Sequence, residues 1–73
     1  MWMKKKNKNI WRNNELGKEI LMVNFDGINY QFQVWDIIGD NIIEFNSEES
    51  SVVWRTKLEV LNLVKNYIAT HSD

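Results

Sequence analysis

Glu19 to Asp36, EILMVNFDGINYQFQVWD, is the stretch whose reading decides the fold. Asp26-Gly27 stands between two strand-like runs, and Asp-Gly suits a two-residue type I′ hairpin loop, in which both central residues take φ > 0. That loop places Phe25 opposite Ile28, Val23 opposite Tyr30, Leu21 opposite Phe32 and Glu19 opposite Val34. Side chains alternate across a strand, so one face carries Leu21, Val23, Phe25, Ile28, Tyr30, Phe32 and Val34. The other carries Ile20, Met22, Asn24, Asn29, Gln31, Gln33 and Trp35. The first set reads as a core. The second is polar near the turn and apolar at its far end, where Ile20, Met22 and Trp35 gather. A lone hairpin is marginal in water, so further strands or a helix must cover the apolar face.

The chain beyond Trp35 supplies both. Gly39-Asp40 is a second hairpin signal, of the Gly-first II′ kind. A two-residue loop there sets Val34 opposite Phe45 and Trp35 opposite Glu44, and puts Ile43 and Phe45 on the core face. It also leaves Asp36 on that face opposite Ile43, a conflict that a bulge or a longer loop removes. Asn46–Ser51 is polar and turn-like. Ser50–Arg55 reads either as a fourth short strand, by its β-branched pair, or as the front of a long helix capped at Asn46 or Ser47. The strand is preferred, because Thr56-x-x-Glu59 is a capping-box signature placed directly before a helical pattern. The periodicity predicts a helix over 57–70 with Leu58, Val60, Leu61, Leu63, Val64, Tyr67 and Ile68 on one broad arc. Such an arc suits a helix laid across a sheet better than a zipper.

Upstream, residues 1–9 are basic, polar and without periodicity, and read as a mobile tail, with Trp2 either packing back on the sheet or merely following the start codon. Ile10-Trp11-Arg12 is apolar enough for an edge strand, and Asn13-Asn14 offers a turn. The expected fold is therefore α+β: one small domain over 10–73, a three- or four-stranded antiparallel meander with one C-terminal α-helix packed on one face.

Composition narrows the function classes. A chain of 73 residues holds one small core. It has no cysteine and one histidine, which excludes disulfides and thiolate metal sites and leaves no histidine pair for zinc. No apolar run is long enough for a membrane span, and Lys4-Lys5-Lys6 is not followed by a signal-peptide core. The expectation is a soluble, cytoplasmic protein with no membrane partner, metal or cofactor. Abundant Asn, Ile and Lys with a single Ala and no Pro suggest an AT-rich coding genome, such as that of a low-GC bacterium or its phage. The net charge of −1 conceals a division. Residues 1–18 hold six cations against Glu15, while residues 19–54 hold seven acids and no cation.

His71 lies at a helix end with no acid or nucleophile at usable spacing, so it reads as a solvent-facing residue favoured by the helix dipole. Glu48-Glu49 lacks the spacing of a calcium loop, and no acid pair implies a pocket, so no enzymatic activity is expected. The order of strands and C-terminal helix resembles the arm-binding domains of phage-type integrases. Those read DNA with a basic sheet face, however, and the sheet region here has no Lys or Arg.

Two interaction readings remain. In the first, Ile20, Met22, Trp35, Ile37 and Ile42, flanked by Asp36 and Glu44, form an outer-face patch that binds a protein with a basic surface or a second copy. Its sharper form is a phage or mobile-element inhibitor of a host nucleic-acid enzyme, with carboxylates standing in for phosphates. Competing readings of the patch are that Ile10-Trp11 folds over it or that the register is off by one. In the second, Lys4, Lys5, Lys6 and Lys8 bind nucleic-acid phosphates, with Trp2 and Trp11 stacking on bases.

Overall fold

The computed structural model describes residues 1–72. In chain order the elements are β1 (Met3–Lys4), β2 (Ile10–Asn13), β3 (Lys18–Asn24), β4 (Asn29–Gly39), β5 (Ile42–Asn46), β6 (Arg55–Thr56) and α1 (Lys57–Thr70). The fold is α+β. Neighbouring strands pair antiparallel in the order β1-β2-β3-β4-β5, and the short β6 pairs with the start of β4, on residues that β5 leaves free. The meander thus has more strands than the three or four predicted, because Met3–Lys4 adds one at its edge and both Ile10–Asn13 and the short β6 are paired as well. The first nine residues are not a tail: Met3 and Lys4 pair with Arg12 and Trp11, and the Trp2 indole donates 3.0 Å to the carbonyl of His71. Ile10–Asn13 is accordingly an interior strand rather than an edge.

The helix begins where the sequence places it. Thr56 is the N-cap in extended conformation, its hydroxyl accepts from the Glu59 amide, and the Glu59 carboxylate accepts from the Thr56 amide. Both halves of the capping box are present, which satisfies two otherwise orphaned donors. Of the Ser50–Arg55 run only Arg55 pairs as strand, together with Thr56 after it, and Val52–Trp54 are exposed.

The central hairpin differs from its expected register by one residue. Ile20 pairs with Val34, Met22 with Phe32 and Asn24 with Tyr30, which leaves residues 25–28 between the two strands. Side chains impose this longer turn. Asn24 Oδ1 accepts from the Gly27 amide, and Asp26 Oδ1 accepts from the amides of Ile28 and Asn29. Asx turns of this kind compete with a two-residue loop. A one-residue slip turns every side chain of one strand to the other face. Ile20 and Met22 therefore enter the core and Leu21 and Val23 leave it, while Tyr30, Phe32 and Val34 stay on the helix side as expected. The second hairpin also shifts. A bulge between Ile37 and Gly39 and an Asp40-Asn41 turn, with Asn41 at φ 61°, pair Trp35 with Phe45 and Asp36 with Glu44. Phe45 and Ile43, expected in the core, thus join the outer face.

The core lies between the sheet and α1. It consists of Ile20, Met22, Phe32 and Val34 from the strands and Val60, Val64 and Tyr67 from the helix, with Trp2, Trp11, Tyr30, Leu61, Leu63 and Ile68 packed around it. Each fully buried aliphatic or aromatic side chain here contributes about 1.5–3 kcal/mol relative to exposure. No helix among the described residues is long and apolar enough to cross a membrane.

Candidate interaction surface

A single helix covers one face of the sheet, so the character of the other face follows from the register alone. One row crosses four strands on that face: Arg12, Glu19, Trp35 and Phe45 stand side by side. Trp35 meets Phe45 edge to face at 5.3 Å. The Trp35 indole donates 3.1 Å to Gln33 Oε1, and Gln33 Nε2 donates 2.8 Å to Gln31 Oε1, a ladder that holds the ring in one orientation. Glu19 is only 4% exposed and takes its counter-charge from Arg12 at 3.2 Å. Leu21 and Val23, half-buried, lie beside this row, and Ile37 pairs with Ile43 beyond it. Phe45 and Ile43 remain 38% and 37% exposed. An uncovered antiparallel face is ordinarily polar. This one is aromatic and aliphatic, and its charged pair is internally neutralised.

Of the seven residues the sequence reading assigns to the patch, Trp35 and Ile37 lie on this face. Ile20 and Met22 do not: they are 0% and 4% exposed under the helix, because the longer turn reverses the faces of β3. Asp36 lies on the helix side, and its partner Glu44 shares that side, so neither acid rims the aromatic patch. Ile42 is exposed at the edge hairpin, paired with Gly39 beyond the bulge. The members missed were Leu21, Val23, Ile43 and Phe45. The available signal was the run Ile20-Leu21-Met22-Val23, apolar on both faces and therefore mute about which face is buried.

The lysines also have definite places. Lys4 sits on β1, its ammonium donates 2.7 Å to the Lys8 carbonyl and lies 5.6 Å from the Trp11 ring centroid, and Lys5, Lys6 and Lys8 project from the β1–β2 turn. The cations are thus mounted on a structured turn. Trp2 and Trp11 are partly buried against the core.

The only histidine belongs to a polar cluster on the helix side. Lys18 bonds Asp36 and, at 2.7 Å, Glu49; Tyr67 donates 2.9 Å to Glu49. The His71 ring stacks on Tyr67 at 3.8 Å, and its Nε2 lies 3.6 Å from Glu49. His71 is therefore packed into the cluster rather than free in solvent. Hydrogen bonds to Asp36 and Glu49 raise the Lys18 ammonium above the ordinary lysine range, and burial together with the Glu49 carboxylate raises the Tyr67 phenol. Burial opposes ionisation of Glu49, but the hydrogen bonds from Lys18 and Tyr67 and the Lys18 charge outweigh it and hold the carboxyl below its usual range. Lys18 stays charged, Tyr67 stays protonated and Glu49 stays ionised near neutrality. A general acid or base needs the opposite, a value near the working pH. The cluster ties β3, β4, the turn after β5 and α1 together. Among the described residues, no three His, Cys, Asp or Glu side chains are grouped to hold a metal ion.

Set against known proteins, the chain matches no family model, no curated protein and no solved structure.

Proposed function

We propose that this chain is a small non-enzymatic protein-binding module, and that its binding element is the uncovered sheet face centred on the Trp35–Phe45 pair. That pair carries the reading: two large aromatic rings in contact at 5.3 Å, held by a glutamine ladder, on a face that no element of the chain covers. Aromatic anchors of this kind are enriched at the centres of interfaces.

The partner best suited to the face is a second copy. Arg12 and Glu19 neutralise each other there, so a copy meets no net charge, and one patch facing itself across a two-fold axis closes the assembly. The five strands hold 2, 4, 7, 11 and 5 residues, which at about 3.3 Å per residue and about 4.8 Å between strands is a footprint of roughly 460 Å², smaller than the ~800 Å² per partner of a standard interface, so the dimer should be weak and reversible. The inhibitor version has less to draw on. Of the seven acids in 19–54, Glu19, Asp36 and Glu49 are in ion pairs and Asp26 caps its own turn, leaving Asp40, Glu44 and Glu48 to imitate phosphates.

Sedimentation across a range of concentrations tests the proposal. The expected result is a reversible dimer that added salt leaves intact or strengthens, and that Trp35→Ala abolishes without loss of fold. A complex with a basic protein would instead weaken with salt. A protein that stays monomeric at high concentration, and captures no partner through Trp35, sinks the reading.

A further inference from the structure

We propose that the pole of the domain at the β3–β4 turn docks peripherally on an anionic lipid surface. The register brings four segments to this pole. Asn24 and Arg55 both pair with Tyr30 at the base of the β3–β4 turn, and α1 starts at Lys57, directly after β6. The Met22 amide donates 2.9 Å to the Asn9 carbonyl, which brings the Lys5–Asn9 turn alongside.

Two kinds of side chain meet there. The first is apolar and unusually bare: Phe25, Ile28 and Val52 are each 73% exposed and Leu58 69%, with the Trp54 ring 5.0 Å from that of Phe25. Such a group on a water-soluble surface marks a contact site. The second is basic. Lys5, Lys6, Lys8, Arg55 and Lys57 lie towards this pole, against two carboxylates, Asp26 and Glu59. Both carboxylates are committed to local backbone amides, one in the Asx turn and one in the capping box.

The combination selects the partner. Lysines alone fit any polyanion. Ile28, Val52 and Leu58 have no flat face to stack on a base and no charge to offer a phosphate, whereas an acyl layer takes them up. Trp is favoured at the headgroup level. Cations beside a shallowly inserted apolar tip are how a domain without a spanning segment binds an anionic bilayer. The absence of a membrane span, which led the sequence reading to expect no membrane partner, does not bear on this mode of attachment.

The test is co-sedimentation of the full chain with vesicles of phosphatidylcholine alone and of phosphatidylcholine mixed with phosphatidylserine as the anionic lipid. The expected result is binding to the anionic vesicles that weakens with salt and is at least about tenfold poorer on the neutral ones. Lys5→Gln/Lys6→Gln/Lys8→Gln should weaken it about a hundredfold, at about fivefold per lysine. Ile28→Ser/Leu58→Ser should weaken it about tenfold or more, with thermal unfolding unchanged because both side chains are exposed. No partition into the anionic vesicles at low salt overturns the proposal. So does vesicle binding indifferent to Ile28→Ser/Leu58→Ser, or binding of single-stranded oligonucleotide in preference to vesicles.

Discussion

Ile20→Ala and Leu21→Ala, made side by side, read the register of the central hairpin directly. Ile20 is 0% exposed, opposite Val34, also 0% exposed, and clusters with Val60 and Val64 of the helix. Truncation removes three carbon groups at about 0.8 kcal/mol each, and the incompletely closed cavity adds on the order of 1 kcal/mol. The sum is about 3–4 kcal/mol, a large share of the roughly 4–11 kcal/mol that a chain this size holds in reserve. Leu21 is half-buried on the open face, where no cavity forms, so its truncation should cost about 1 kcal/mol. In a domain this small each kcal/mol moves the midpoint by about 4–8 °C, so the two variants should melt about 10 °C apart or more. Thermal unfolding followed by far-UV circular dichroism gives the comparison. Should Ile20→Ala be too unstable to purify while Leu21→Ala folds, the order of damage is already the expected one. If Leu21→Ala proves the more damaging change, the hairpin closes on the two-residue turn and the faces assigned here are reversed.

Thr56→Ala should cost about 1 kcal/mol in denaturant midpoint by removing the N-cap of α1, and a neutral result would move the helix start upstream. Val64→Asp places an unpaired charge at a 2% exposed site and should unfold the protein, visible as loss of helical dichroism. For Glu49 the folded carboxyl lies below the unfolded one, so its contribution is complete above the ordinary carboxylate range and is lost as the pH falls through the folded value. Glu49→Gln should therefore lower stability at neutral pH and flatten the acid limb of a stability-versus-pH curve, and an unchanged limb would show that the cluster does not carry acid sensitivity.

The fold class and the helix were legible in the chain because their signals are local. Thr56-x-x-Glu59 marks a start that no other segment contests, and the apolar arc over 57–70 has one period. Strand β4 was legible for the same reason: Tyr30, Phe32 and Val34 alternate with Gln31 and Gln33, so only one face can be buried. Strand β3 offers no such contrast, since Ile20 and Met22 are as apolar as Leu21 and Val23. Its facing was left to the turn, where the hydrogen bonds of Asn24 and Asp26 to the loop amides set a longer connection against the local preference of Asp-Gly for a two-residue loop.

The open face followed the turn. Trp35 and Ile37 were found because they lie on β4, and Ile20 and Met22 were misplaced because they lie on β3. The first nine residues show the same division. Their composition is that of a tail, and only the Trp11 and Arg12 backbone and the His71 carbonyl, far apart in sequence, supply the partners that make β1 a strand and seat Trp2. Sequence by itself determined the elements that a local signal specifies, which are the helix, its cap and the alternating strand. Tertiary structure alone decided which side of β3 is inside and what the open face presents, because a strand apolar on both sides has two burials of nearly equal worth and only its neighbours choose between them.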